Sequence, residues 1–198
     1  ITADENFNTF SLSWYNNTDV DPATGLTPYI NMQKVLKVCH DFVDNFDNTF
    51  SNLLFIGQTG VGKTFLSNCI ARALMDSCHS IIYLTAGEFF DSFKSDDFKE
   101  FGSSKFDTSF FVECDLLIID DLGTEKASDY NFSNLFNTIN ERLLRRKSII
   151  ISSNLEMPDI ETRYSQRIFS RLVSAYSILR LFGDDIRCMK KLSPTKRS

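Results

Sequence analysis

A glycine-rich stretch at residues 57–64, with the sequence GQTGVGKT, constrains the fold of this chain more than any other feature. It follows an apolar run, Leu53–Ile56, that is predicted to be a strand. Apolar residues recur at helical spacing over residues 65–75, directly after it. Three of the chain's eight glycines lie here in register with Lys-Thr, which disfavours a chance glycine-rich turn. The pattern is typical of a phosphate-binding loop between a strand and a helix.

The residue types in this stretch match the chemistry of phosphate binding. Glycines allow successive backbone N–H groups to turn toward an anion, and the positive end of the following helix dipole reinforces them. Lys63 is predicted to reach the outer phosphates, and the Thr64 hydroxyl is predicted to ligate Mg²⁺. The candidate nucleotide-binding residues are Gly57, Gln58, Thr59, Gly60, Val61, Gly62, Lys63, Thr64 and Phe65.

Strand and helix signals alternate along the rest of the chain. A helix of about five turns is predicted from Pro28, with Thr27 as its N-cap. Alternation of this kind indicates an α/β fold, with a parallel five-stranded sheet and helices on both faces. The predicted strands are 53–56, 81–84, 116–119, 149–151 and 178–182, and further helices are predicted at 65–75 and 131–144.

Two carboxylates follow a second apolar strand, in the sequence DLLIIDD at residues 115–121. If this strand neighbours the one before the glycine-rich stretch, Asp120 and Asp121 lie beside the phosphates. Asp120 is then expected to hold a metal ion, and Asp121 to orient or deprotonate an attacking water. The alternative is an ordinary pair of Asp residues at a strand-to-turn junction.

Two later segments offer polar side chains with more than one interpretation. Asn154 follows a third apolar strand and can hydrogen-bond a water or a γ-phosphate oxygen, although Asn is also a common turn residue. Arg167 and Arg171 share one face of a predicted helix. Such a face is usually solvated, but ring-forming ATPases present an arginine to the neighbouring subunit's nucleotide.

Four segments, GQTGVGKT, LLIIDDLGTE, IISSN and RIFSRL, occur in an order that resembles the bacterial replicative helicase loaders of the DnaC and DnaI type. These form a branch of the AAA+ ATPases that includes the transposase helper IstB. The resemblance covers about residues 27–190 and implies a P-loop NTPase with an AAA+ core, using ATP and Mg²⁺. It implies catalytic roles for Lys63, Asp121, Asn154, Arg171 and, as a weaker match, Arg187, and metal ligation by Thr64 and Asp120.

The resemblance also implies partners and a domain organisation. The expected partners are a hexameric replicative helicase, single-stranded DNA and further copies of the chain in a ring or spiral. Residues 1–26 are expected to form an extended lead-in attached by its aromatic side chains, and 27–198 the ATPase domain. A C-terminal helical lid and the loaders' N-terminal helicase-binding region are expected to be absent. Asp121 replaces the Glu usual in AAA+ enzymes, which suggests slow hydrolysis.

Composition limits the remaining possibilities. The net charge of −5 disfavours a uniformly basic nucleic-acid binder, so any DNA contact must be local. One candidate is the phenylalanine-rich segment 87–111, either as a stacking track for single-stranded DNA or as helix core. The five scattered cysteines are interpreted as reduced core thiols of a cytoplasmic protein, and no apolar run is long enough to cross a membrane.

Other functions remain open at this level. The core motifs do not exclude a transposase-associated ATPase, and a nucleotide-gated adaptor that binds ATP without turnover is a less favoured alternative. A small-molecule kinase is disfavoured, because such enzymes need a lid with clustered arginines and no arginine lies between Arg72 and Arg142.

Overall fold

The structure is a computed structural model that describes residues 4–97 and 108–192. Its sheet has five strands, all parallel, in the order β2-β3-β4-β1-β5. The strands are β1 (Leu53–Ile56), β2 (Ile81–Thr85), β3 (Leu116–Leu122), β4 (Ser148–Ser153) and β5 (Ser177–Arg180). The helices are α1 (Pro28–Asp44), α2 (Lys63–Asp76), α3 (Ala86–Asp97), α4 (Phe110–Glu113), α5 (Asp129–Arg145), α6 (Met157–Arg163), α7 (Gln166–Ala175) and α8 (Ile186–Leu192). The predicted α/β class is confirmed.

Helix α1 illustrates how local sequence sets an element. The Thr27 side chain accepts a hydrogen bond from the Ile30 backbone N–H at 3.2 Å, and Pro28 occupies the first helical position. The helix then buries one apolar stripe, which includes Met32 and Phe42. The predicted cap, start and inward face of this helix are therefore confirmed.

The sheet has apolar side chains on both faces, and helices cover each face. Leu54 and Ile56 belong to the core layer shared with α3, α5 and α7, whereas Leu53 and Phe55 belong to the layer shared with α1 and α2. Such double coverage explains why the central strands are continuously apolar rather than alternating. The carboxyl ends of all five strands therefore meet at one edge of the sheet.

The strand carrying the two aspartates is not the direct neighbour of the strand before the glycine-rich loop. Strand β4 lies between β1 and β3, in parallel register with both. The carboxyl end of β4 therefore separates the loop from Asp120 and Asp121. Residues at the end of β4 therefore lie between the two segments.

The N-terminal lead-in was expected from the sequence to be extended, and this expectation was wrong. It forms turns and a short 3₁₀ helix, Leu12–Trp14, folded against the loop that precedes α2. Tyr15 is buried and donates a hydrogen bond from its hydroxyl to the Val61 carbonyl at 3.1 Å. Phe10 packs against both Tyr15 and Phe65. Because these aromatic rings leave water only by packing on the domain, they hold the segment there.

The phenylalanine-rich segment contributes core rather than an exposed track, as far as it is described. Phe89, Phe90 and Phe111 are at most 1% exposed and lie in the core layer under α5. Their burial excludes base stacking by these rings and corrects that interpretation. Phe110 is exposed, and Lys94 pairs with Asp91 at 2.7 Å. Phe98, Lys99, Phe101, Lys105 and Phe106 lie outside the described residues.

The cysteine prediction holds for three of the five residues. Cys39, Cys69 and Cys114 are buried, whereas Cys78 and Cys188 are exposed, and all five are unbridged. The prediction was wrong for the exposed pair because Cys78 lies in the turn after α2 and Cys188 lies in the short helix α8, which has no buried residue. Within residues 4–97 and 108–192, no helix has both the length and the apolar character of a membrane span.

Candidate functional site

The glycine-rich loop between β1 and α2 adopts a backbone that only glycine tolerates at two positions. Gly57 has a φ of +146°, and a Cβ there would overlap the Leu181 carbonyl. Gly60 has a φ of +82°, and a Cβ there would overlap the Asp185 carboxylate. The segment after β5 thus packs directly against the loop, and this close approach requires both glycines.

Lys63 lies at the first position of α2, and its ammonium group is held by three oxygen atoms. Its Nζ donates to the carbonyls of Gly57 at 2.6 Å and Gln58 at 2.8 Å, and to Asn154 Oδ1 at 2.6 Å. Burial lowers the pKa of Lys63, while the nearby carboxylates of Asp121 and Asp120 act in the opposite direction. A cation is therefore fixed at the loop, facing the carboxyl end of β4.

The Asp120 carboxylate is buried and accepts three hydroxyl hydrogen bonds. Thr64 Oγ1 donates to its Oδ2 at 2.9 Å, the Tyr83 hydroxyl donates to the same oxygen at 2.8 Å, and Ser152 Oγ donates to Oδ1. The structure thus brings together the two residues predicted to hold the metal, although their strands are not neighbours. A threonine hydroxyl beside a carboxylate is a donor set that suits Mg²⁺.

The donor set is sparse, which is itself informative about the metal. Within the described parts of the chain, no cluster of three or more His, Cys, Asp or Glu side chains could hold a metal ion. Magnesium in nucleotide sites is usually bound by one or two protein oxygens, with phosphates and water completing its shell. The Thr64 and Asp120 pair fits this arrangement and does not fit a dedicated protein cage.

Sequence reasoning missed Tyr83 and Ser152, the other two partners of Asp120. Burial, together with the Asp120 carboxylate, raises the pKa of Tyr83, so that its hydroxyl stays protonated and donates. Ser152 also accepts a hydrogen bond from the Asp121 backbone N–H at 3.0 Å. The small polar residues that end β4 were the available signal for Ser152, whereas the sequence carried none for Tyr83.

Asp121 turns away from the strand direction at the end of β3. It is a non-glycine residue with a φ of +57°, a conformation that is uncommon and costs free energy. Its carboxylate lines the same cavity as Lys63 and accepts a hydrogen bond from Asn154 Nδ2 at 3.3 Å. The predicted residues Lys63, Asp121 and Asn154 are therefore in one place.

A cavity of about 350 Å³ lies over the loop, and the N-terminal segment forms one of its walls. Phe10, Trp14 and Tyr15 supply aromatic surface there, and Glu5 supplies a carboxylate. Glu5 also accepts a hydrogen bond from Asn68 on α2. Such a combination of apolar rings and a few polar groups is typical of a small-molecule site. The sequence analysis used these aromatics only as attachments for the lead-in.

The C-terminal segment forms another wall. Arg187 and Lys190 of α8 line the cavity, and the Ile186 backbone N–H donates to the Gly60 carbonyl at 3.1 Å. The Arg187 side chain is 69% exposed and lies 3.9 Å from Asp185. Together with Lys63, these residues place three cations around the cavity against the two carboxylates of Glu5 and Asp121, a small positive excess that suits an anionic ligand.

Arg171 is not part of this cavity. It lies on the exposed side of α7, and its Nη2 donates to Asn140 Oδ1 of α5 at 3.1 Å. Arg167, one turn earlier, stacks over the Phe136 ring at 4.3 Å. Both interpretations of this helix face, solvated or presented to a neighbour, are compatible with that location.

A comparison with protein-family models identifies the chain at the family level. The model described as IstB-like ATP binding protein matches residues 30–193. The chain belongs to this family. The matched residues include the loop, both aspartates and Asn154, whereas the N-terminal wall of the cavity, Glu5 to Tyr15, lies outside the match.

Comparison with curated proteins gives more distant relatives of this IstB-like chain. It is 23% identical over 151 residues to the replicative helicase loader DnaC of Escherichia coli strain K12. That alignment covers 76% of this chain and 61% of the loader. The chain therefore spans about three fifths of the length of this relative.

Solved structures with the same fold include AAA+ replication proteins. A crystal structure of the DnaC helicase loader superposes with a TM-score of 0.66 at 21% identity, over 91% of this chain and all of that one. The replication initiator DnaA bound to AMPPCP and single-stranded DNA superposes with a TM-score of 0.65 at 19% identity, over 84% of this chain and 53% of that one. These likenesses establish the AAA+ P-loop fold of the IstB-like chain.

Proposed function

We propose that this chain is the ATP-binding and ATP-hydrolysing AAA+ domain of a helicase loader, which helps to place the replicative helicase on single-stranded DNA. The observation that carries the ATPase part is the convergence of Lys63, Asp121 and Asn154 beside the Thr64 and Asp120 pair. The relationship to DnaC supports the loader part. A protein with this role would act in the cytoplasm.

The residues divide into groups that bind and groups that react. The backbone of residues 57–62 and the Lys63 ammonium bind the phosphates of ATP, and Arg187 adds charge from α8. Thr64 and Asp120 hold Mg²⁺, which supplies charge neutralisation at the phosphates. Asp121 accepts a proton from the attacking water, and Asn154 orients that water or an oxygen of the γ-phosphate.

Slow turnover and assembly-dependence are part of the proposal. An aspartate has a shorter side chain than the glutamate usual in AAA+ enzymes, and Asp121 also hydrogen-bonds Asn154. Arg171 faces outward and would complete the site of a neighbouring subunit in a ring or spiral. Hydrolysis should therefore rise when copies assemble or when single-stranded DNA is present.

The proposed division of the chain follows from the same contacts. Residues 27–198 would form the ATPase domain, and the lead-in would serve it rather than a separate partner. Its aromatic residues Phe10, Trp14 and Tyr15 line the nucleotide cavity, which supports a role in holding the part of the nucleotide beyond the phosphates.

The family match favours a second candidate, an ATPase of the IstB type that assists a transposase. A binding experiment separates the two. The full-length protein, with Mg²⁺ and ATP, is presented to the replicative helicase and to a transposase of the same organism, and retention is measured. The loader proposal expects capture of the helicase and its transfer to single-stranded DNA, both lost in Lys63→Ala. Capture of the transposase alone would favour the second candidate.

A further inference from the structure

Glu125 is a buried carboxylate that the proposed reaction leaves without a role. It lies three residues after β3, and its side chain is only 3% exposed. It accepts hydrogen bonds from the Gly123 backbone N–H at 2.7 Å and from the Tyr164 hydroxyl at 2.6 Å. Arg163 lies 3.4 Å from the same carboxylate and also donates to the Glu125 carbonyl. Glu125 does not line the nucleotide cavity, so it has no direct access to the reacting atoms.

On one side, Glu125 holds the loop that leaves the catalytic aspartates. Glu125 accepts a hydrogen bond from the backbone N–H of Gly123, which lies two residues after Asp121. The same loop is attached to the end of β4, because Ser153 Oγ donates to the Leu122 carbonyl at 2.6 Å. Gly123 approaches Leu155 so closely that a Cβ would lie 2.6 Å from that side chain. This part of the network is therefore rigidly joined to the nucleotide site.

On the other side, Glu125 holds the start of α7. Arg163 ends α6, Tyr164 follows it, and Ser165 caps α7 by accepting a hydrogen bond from the Ile168 N–H. Tyr164 is buried and packs against Phe132 of α5 at 5.3 Å. Because Tyr164 and the Ser165 cap directly precede α7, their contacts fix the position at which the helix begins.

Arg171 is the residue of α7 whose placement this network would control. It lies five residues after Gln166, the first residue of α7, which is about 7.5 Å along the helix. Its neighbours Ile168 and Leu172 are fully buried and direct the adjoining face of the helix into the core. The Arg171 side chain, in contrast, is exposed and hydrogen-bonds the Asn140 amide of α5. The direction of the Arg171 side chain therefore depends on the orientation of α7 against the core.

We propose that Glu125 is a positioning residue for Arg171. Through its contacts with Tyr164 and Arg163, Glu125 fixes the orientation of α7, and Arg171 then acts on the nucleotide of the neighbouring subunit. This rests on the proposed function, in which Arg171 acts in trans. A buried ion pair is a poor way to gain stability, since apolar residues of similar volume often serve as well or better. Its directional hydrogen bonds instead specify one orientation of the helix.

Mixed assemblies of the full-length protein test this. Lys63→Ala subunits keep Arg171 but lack a working loop, whereas Arg171→Ala subunits keep the loop but lack the arginine. Turnover in their mixture comes from interfaces between the two kinds. Glu125→Gln is then placed either on the arginine-donating subunit or on the loop-donating subunit, and kcat and KM for ATP are measured with Mg²⁺ and single-stranded DNA.

The proposal expects an asymmetric result. On the arginine-donating subunit, Glu125→Gln should lower kcat by roughly 2- to 30-fold with little change in KM, since the arginine acts on the transition state. On the loop-donating subunit the loss should be much smaller. Tyr164→Phe, which removes one hydroxyl and no charge, should show the same asymmetry. Glu113→Gln, in an exposed ion pair with Arg145, is the matched control and should change neither value.

Three results would overturn the proposal. An equal or greater loss on the loop-donating subunit would mean that Glu125 acts on its own subunit's Asp121. Failure of the parent mixture to recover any turnover, while each nucleotide still binds to Arg171→Ala subunits, would remove the trans arginine and the positioning role together. If the parent mixture recovers turnover but Glu125→Gln changes kcat on neither kind of subunit, the proposed function stands and the positioning role alone is rejected.

Discussion

Lys63 Nζ donates a hydrogen bond to Asn154 Oδ1 at 2.6 Å, across 91 positions of sequence. The other end of the same amide donates to Asp121 Oδ1 at 3.3 Å. One side chain at the end of β4 therefore contacts both the cation of the glycine-rich loop and the carboxylate proposed to activate water. This bridge links Lys63, proposed to bind phosphate, to Asp121, proposed to react with water. Substitutions of Lys63 and Asp121 separate the two roles.

Lys63→Ala should abolish nucleotide binding or weaken it severely. It removes the only side-chain cation within the loop itself, in a site otherwise built of backbone dipoles. Calorimetric titration with ATP and Mg²⁺ measures the affinity, and Lys37→Ala on the exposed side of α1 is the control. Unchanged affinity in Lys63→Ala would place the phosphate site elsewhere.

The two aspartates should give different phenotypes. Asp121→Asn should leave ATP binding intact and depress hydrolysis by roughly 10²-fold or more, because the amide cannot accept a proton from water. Asp120→Asn should weaken Mg²⁺-dependent binding, since it alters the carboxylate that accepts from Thr64, Tyr83 and Ser152. Titration of ATP with and without Mg²⁺, together with phosphate release, distinguishes them. Identical behaviour would show that the roles are misassigned.

Arg171→Ala should leave ATP binding by the isolated chain unchanged and remove assembly-dependent hydrolysis. Its guanidinium lies on α7, away from its own subunit's cavity. Arg171→Lys should rescue poorly, because an ammonium lacks the planar fork that contacts two phosphate oxygens. Arg167→Ala is the control on the same face. Equal turnover in the wild-type and Arg171→Ala assemblies would indicate a solvated arginine.

Gly60→Ala should distort the loop and weaken nucleotide binding more than backbone strain alone would. A Cβ at this position overlaps the Asp185 carboxylate, in addition to the cost of its positive φ. Gly25→Ala isolates the strain, because Gly25 has a φ of +68° with open space around it. Adding Asp185→Ala to Gly60→Ala should restore part of the affinity. No recovery in the double variant would mean that the clash does not cause the loss.

His79 should make the stability of the domain depend on pH. A hydrogen bond to Asp47 at 2.9 Å raises the pKa of His79. The stabilisation is then complete below the unfolded pKa, about 6.5, and disappears as pH rises through the higher folded value. Asp47→Asn should therefore lower the free energy of unfolding at about pH 5.5 and have little effect at about pH 8.5. Asp44→Asn, at the exposed C-terminal end of α1, is the control in urea denaturation at both pH values.

Local features of the sequence determined much of this protein. The strand, loop and helix around Lys63 follow from apolar spacing, glycine placement and a helix start, all of which act within a few residues. The same holds for the Thr27 cap of α1 and for the polar ends of β3 and β4. The family resemblance rested on these local motifs, and the family match over residues 30–193 confirmed it.

Only the tertiary structure decided how these pieces meet. Apolar periodicity identifies strands but not their order, so the insertion of β4 between β1 and β3 was not predictable from it. That order brings Ser152 to Asp120 and places Asn154 between Lys63 and Asp121. The folding of Phe10 and Tyr15 onto the loop, and the contact of Glu125 with Tyr164, depend likewise on residues far apart in sequence. Long-range burial and hydrogen bonding, which no local pattern encodes, select these contacts.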